Sequence, residues 1–200
     1  MRIFITILIA ISSFQLLAKA DDIKDFQIEG MSIGDSLLDY VNNRTIKNSR
    51  KYEYNDDKFY TIDLILDNFK TYYAVQIHLK AGDQKFIIYG IGGAIKFGNP
   101  GKYSPQSIEK CKKQMNVIEK DLDIIFTSSD KQSAQAVGQG DYDPDAVRDE
   151  IYYTLVNGHI YLQCVTWGEK IKKKDYLFDS LRVTLLNLEF YNWIENEAYK

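Results

Sequence analysis

Two serines in the run Ile28-Glu-Gly-Met-Ser-Ile-Gly-Asp-Ser-Leu-Leu-Asp-Tyr40 have neighbours that could support nucleophilic chemistry: Ser32 in Gly-x-Ser-x-Gly and Ser36 in Gly-Asp-Ser-Leu. A serine nucleophile needs a base in hydrogen-bond reach, and the elbow form also needs a buried strand before it and a helix after it. Residues 25–30, Asp-Phe-Gln-Ile-Glu-Gly, are too polar for a central strand. The same letters describe a helix start. Ser32 would accept from a backbone N–H near Asp35, and the Asp35 carboxylate would answer in the S-x-x-D spacing of a capping box. Ile33, Leu37, Leu38 and Val41 then make an apolar stripe. A helix over about 33–42 is the reading adopted, and ester hydrolysis at Ser36 is the alternative.

The histidines suggest a surface rather than a reaction. In residues 72–79, Tyr-Tyr-Ala-Val-Gln-Ile-His-Leu, strand alternation puts Tyr72, Gln76 and His78 opposite the apolar stripe Tyr73, Val75, Ile77 and Leu79. In residues 159–167 it puts His159, Tyr161, Gln163 and Trp167 opposite Ile160, Leu162 and Cys164. If both strands lie in one sheet, these seven residues form a polar, aromatic face suited to a small ligand or a protein partner. Asp141, Asp143 and Asp145 alternate as in a calcium loop, but Ala146 and Tyr152 stand where that loop wants glycine and glutamate, so a calcium site there is only partly specified. Residues 89–101, Tyr-Gly-Ile-Gly-Gly-Ala-Ile-Lys-Phe-Gly-Asn-Pro-Gly, miss the dinucleotide fingerprint because Ile95 replaces its third glycine. No cofactor is expected.

The positioning elements follow from periodicity. Residues 1–20 join Arg2, an apolar run from Ile3 to Phe14 and an Ala18-Lys-Ala20 site, the pattern of a signal peptide cleaved after Ala20. Losing Arg2 and Lys19 leaves 23 basic residues against 28 acidic and moves the formal net charge from −3 to −5. That acidity argues against nucleic acid as a partner, and no later segment could span a membrane. The chain is thus expected to be periplasmic or secreted, with residues 21–200 forming one domain. Three strands are expected within residues 59–97, then a helix capped by Ser104 with Pro105 in its first turn. Residues 127–149 show no sustained period and read as a mobile excursion. A hairpin follows, turning at Asn157-Gly158, then a solvated lysine-rich loop and a last strand burying Leu181, Val183 and Leu185. The expected fold is α+β, an antiparallel sheet of about six strands with one long helix on one face, arranged as two helix-plus-three-strand units.

Cys111 falls on the apolar stripe of the long helix and Cys164 on the inward face of its strand. Both point into the core, where they could form a disulfide or remain two buried thiols.

Residues 25–40, the helix opening Ser107-Ile-Glu-Lys-Cys-Lys-Lys-Gln114, the Cys164-Val-Thr-Trp167 strand and residues 181–194 resemble an uncharacterised family of small exported proteins from bacteria with compact AT-rich genomes. That resemblance implies export and one fold, and brings no catalytic residues. Gly34-Asp-Ser-Leu37 also resembles the GDSL hydrolases. Their later Gly-x-Asn-Asp block is absent, however, and neither His78 nor His159 has an aspartate three positions before it. The Ile-x-Gly-Met-Ser entry is similar to the start of the repeat in β-lactamase-inhibitor proteins and small outer-membrane-assembly lipoproteins, which implies binding to other proteins. The function expected is non-catalytic binding of an envelope protein or small ligand, with a structural envelope role as a further alternative.

Overall fold

A computed structural model describes residues 22–102, 104–139 and 142–200. The expected signal peptide lies outside these residues. The fold is α+β, with the antiparallel sheet enlarged from the expected six strands to eight. In chain order the strands are β1 (Arg50–Lys51), β2 (Phe59–Leu64), β3 (Ala74–Lys80), β4 (Ile88–Phe97), β5 (Asp130–Gln139), β6 (Asp143–Leu155), β7 (Gly158–Thr166) and β8 (Asp179–Asn187). The helices are α1 (Asn43–Asn48), α2 (Pro105–Ile125), α3 (Glu169–Asp175) and α4 (Leu188–Asn196). In the sheet the strands run β1-β2-β3-β4-β8-β7-β6-β5, so a helix-plus-four-strand half from each end of the chain meets its counterpart along β4 and β8. The expected unit of three strands per helix was one strand short.

One face of the sheet is covered from β2 across to β6, leaving the β5 edge exposed. The α2 stripe of Cys111, Met115, Ile118 and Leu122 packs with Ile23, Ile28, Met31, Ile33, Leu37 and Ile46 of the N-terminal segment against Val75, Ile77, Ile91, Leu162, Val183 and Leu185 of the strands. Ser104 caps α2 and Pro105 opens it, as the sequence indicates. Cys111 and Cys164 form a disulfide with Cα atoms 5.9 Å apart, pinning α2 to β7. On the opposite face only one end is covered: α4, capped by Asn187, lays Phe190 and Trp193 over Phe59 and Leu186.

The departures from expectation have local causes. The helix foreseen over 33–42 is reduced to a 3₁₀ turn at Leu37–Asp39 followed by α1. Residues around it give their backbone bonds to the β3–β4 connection, Gly34 N–H to Ile88 O, Ile88 N–H to Asp35 O and Leu37 N–H to Phe86 O, instead of to a helical ladder. Within residues 127–149, expected as a mobile excursion, residues 130–139 form β5 and residues 143–149 belong to β6. β5 is an edge strand with largely exposed residues, so it carries no apolar alternation. The β6–β7 hairpin turns one residue early, at Val156-Asn157, because Leu155 pairs with Gly158. Neither Asn157 nor Gly158 has positive φ. Gly158 is needed for close approach instead, since a Cβ there would come within 2.5 Å of Ile23 and of the Leu186 carbonyl.

The lysine-rich loop is α3, and one of its lysines turns inward: Lys172 is fully buried and ion-pairs with the equally buried Asp179. Breaking such a pair from one side leaves an uncompensated charge in the interior. Lys172→Met is expected to cost about 3–5 kcal/mol in urea unfolding, and the double variant Lys172→Met/Asp179→Leu to cost less than the single one. The disulfide closes a sequence separation of 53 residues. Its removal as Cys111→Ala/Cys164→Ala should lower stability by about 2–4 kcal/mol in the same measurement.

Candidate functional site

The uncovered part of the sheet is built from strand register. One row of directly opposed residues runs Asp63, Gln76, Gly92, Thr184, Tyr161, Tyr152 and Gln132 across seven strands. The adjacent row runs Ala74, Ala94, Arg182, Gln163, Glu150 and Ala134. Their partners along each strand, such as Val183 and Leu162, point to the covered core, so the pleat sends these residues outward. Ala74, Gly92 and Ala94 are small, and they floor a depression of about 450 Å³ walled by Asp63, Ile65, Tyr73, Gln76, Gln163, Arg182 and Thr184.

Most charges on this face are already partnered. Asp63 accepts from Lys51 Nζ at 2.6 Å and from Gln76 Nε2 at 3.0 Å. Burial pushes the Asp63 carboxyl up, but these bonds prevail and hold it below the usual carboxylate range. Glu150 is buried, ion-pairs with Arg148 at 3.2 Å, accepts from Gln163 Nε2 at 2.9 Å and takes a short hydrogen bond from the Tyr152 hydroxyl. Burial and that carboxylate push Tyr152 up to about 12. Lys96 lies 3.8 Å from the centre of the Tyr73 ring. Arg182 differs, having no ion-pair or hydrogen-bond partner among the described residues. It is exposed by area yet closely ringed by protein; burial, with the like charge of Arg148, lowers its pKa against the opposing pull of Tyr73.

Only part of the face expected from sequence survives. Gln76, Tyr161 and Gln163 stand on it. Tyr72 does not, because it precedes β3 and its ring packs on the core side over Gly93, where a Cβ would come within 2.5 Å. His78 does point to the second face but is buried beneath α4, stacked on Phe190 with ring centroids 4.6 Å apart and hydrogen-bonded to the Tyr54 hydroxyl at 2.9 Å. Gly90 makes room for it, since a Cβ there would stand 2.8 Å from the imidazole. His159 is half-buried against Tyr191 of α4, at 3.7 Å between ring centroids. Trp167 follows β7 and borders a different recess with Ile108 and Lys112. Arg182, Thr184 and Tyr73 were missed as site residues. The alternation of β8 already pointed Arg182 and Thr184 away from Leu181, Val183 and Leu185, which is the signal that could have found them.

The remaining candidates have structural duties. Ser36 caps the 3₁₀ turn and donates to Lys85 O at 2.7 Å, and no histidine bonds to it among the described residues. Ser32 donates to Lys24 O, while Asp35 accepts from the Ser32 backbone, so only the carboxylate half of the expected box forms. Asp143 is buried and accepts from Gly168 N–H at 2.8 Å. Asp145 is exposed, and Asp141 lies outside the described residues. No group of three metal-ligating side chains occurs among the described residues. A larger recess of about 640 Å³ separates the N-terminal segment from α2. Its Glu29 is committed to the backbone N–H groups of Lys70, Thr71 and Tyr72 at 2.7–2.9 Å, which makes the recess a seam between elements.

The buried histidine gives α4 a measurable pH dependence. Burial pushes His78 down to about 4, against an opposing pull from Asp63. The neutral ring is therefore favoured on folding, so its contribution is complete above the unfolded pKa of about 6.5 and is lost as pH falls toward 4. Urea midpoints should drop between pH 7 and 4.5 by an amount equivalent to about 3 kcal/mol at most, and His78→Gln should flatten that drop.

Comparison with known proteins finds no matching family model, no matching curated protein and no matching solved structure.

Proposed function

We propose that this chain is an exported, non-catalytic binding protein that holds its ligand or partner on the open sheet face between β2 and β6. One observation carries the reading. A surface of register-matched polar and aromatic side chains crosses seven of the eight strands, and near its centre a charged guanidinium without a hydrogen-bond or ion-pair partner among the described residues stands beside a depression. A solvated face with no such role would be expected to pair that charge, as it pairs Asp63 and Glu150. Export is the second part of the proposal, and so is membership of the exported family that the sequence resembles. Its support is the signal-peptide pattern of residues 1–20 together with the disulfide, which is compatible with an oxidising compartment. No helix among the described residues is long and apolar enough to cross a membrane.

The alternative of ester hydrolysis at Ser36 has less support, because the hydroxyl is engaged by Lys85 O and by the N–H of Leu38. The test places a photo-crosslinking residue at Gln163 on the open face and, as a control, at the exposed Lys113 of α2, in the full-length protein expressed in cells. A reproducible adduct from position 163 alone is the expected result. Equal adducts from both positions, or none from 163, would remove the open face as the binding surface.

A further inference from the structure

The chemistry of the depression narrows what it would hold. Three features converge on one wall of it. Arg182 supplies a planar donor array with no acceptor among the described residues, a group suited to two parallel hydrogen bonds with a carboxylate. Thr184 lies two residues further along β8 and lines the same depression, adding a hydroxyl that can donate or accept. Gln163 sits directly opposite Arg182 in the ladder, and its amide nitrogen is held by Glu150, which leaves the amide oxygen without a partner among the described residues. The floor of Ala74, Gly92 and Ala94 offers space and apolar contact in place of charge.

The size is equally informative. A volume of about 450 Å³ lies within the range of roughly 300–1,000 Å³ typical of small-molecule sites. Tyr73 and Ile65 border it, giving an apolar flank on which the body of a ligand could lie. Asp63 lines it and Glu150 stands beyond Gln163 in the ladder, so a dianion would meet roughly twice the repulsion that a monocarboxylate meets, and an amine on the body would offset part of it.

We infer that the open face holds a small organic monocarboxylate, its carboxylate clamped by Arg182 with help from Thr184 and its body lying over Ala74, Gly92 and Ala94 toward Tyr73 and Ile65. This inference rests on the open face being the binding surface and names the ligand class that it takes.

The test uses amide-resolved NMR of the mature protein with two probes of the same shape, hippurate and its uncharged carboxamide, and with inorganic phosphate as a third titrant. Hippurate should shift the resonances of Gly92, Ala94, Gln163, Arg182 and Thr184 saturably at up to 10 mM, an upper limit corresponding to about the weakest binding worth assigning. The carboxamide should bind at least roughly tenfold more weakly, as expected when a charge-assisted bidentate pair is lost. Arg182→Gln should abolish the difference between the two probes, and Arg182→Lys should restore only part of it, because a point charge lacks the fork. Equal binding of hippurate and carboxamide in this depression would overturn the carboxylate clamp and leave the open face standing as a binding surface. Shifts caused equally by phosphate would reduce Arg182 to a generic anion site and overturn the organic ligand. No saturable shift in the depression with any titrant overturns the inference, while the crosslinking result at Gln163 decides separately whether the face binds a larger partner.

Discussion

The pairing of β4 with β8 is the constraint on which the rest of the structure depends. Eight residue pairs, from Gly90 opposite Leu186 to Phe97 opposite Asp179, join two four-stranded halves that are otherwise separate in sequence. Because the side-chain period of a strand is two, that register decides which face every residue of both halves presents. It puts Ile91 beside Leu185 and so gives α2 and the N-terminal segment one continuous apolar surface to cover. The same register brings Gly92 beside Thr184 and Ala94 beside Arg182 on the other side. A slip of one residue would bury the arginine and expose Leu185 and Val183.

The two faces are stabilised unequally, and the difference separates the scaffold from the candidate site. On the helix side, apolar packing is reinforced by the Cys111–Cys164 bridge, by Tyr153 donating to Asp123 of α2 and by Lys131 reaching Asp123 and Glu119. On the other side, α4 covers one end only, with an aromatic group of Tyr54, Phe59, His78, Phe190 and Trp193 beneath it. Between that cap and the far edge the sheet is left open, on rigid paired strands rather than on loops. A site built on such strands is held in shape before anything binds, which keeps the entropy cost of binding low.

Elements with strong periodicity were legible in the sequence: α2 with its Ser104 cap, the strands from 59 to 97, the β6–β7 hairpin and the inward placement of both cysteines. What failed was local competition and edges. Ser32 to Tyr40 has the letters of a helix start, but tertiary backbone bonds to Phe86 and Ile88 take the groups a helix would use. β5 was missed because an edge strand exposed on both faces has no apolar alternation to read. Alternation placed Gln76, Tyr161 and Gln163 on the second face, where the structure has them, but carries no signal that α4 folds back over His78 and His159 or that Tyr72 crosses to the core above Gly93. Beyond the alternation of β8, Arg182 has no distinctive sequence signal, because its lack of a partner among the described residues depends on Asp63 and Glu150 being committed to other groups.

The most direct test of the open face as the working surface is the reactivity of Arg182 toward phenylglyoxal, read by mass spectrometry on intact cells and again on purified, folded protein. The account predicts that Arg182 is protected in cells and reactive once purified, while Arg44, an exposed residue of α1 that does not line the depression, reacts alike in both. Equal reactivity of Arg182 in the two settings would contradict it, because a face that is occupied where the protein works cannot leave its central guanidinium free.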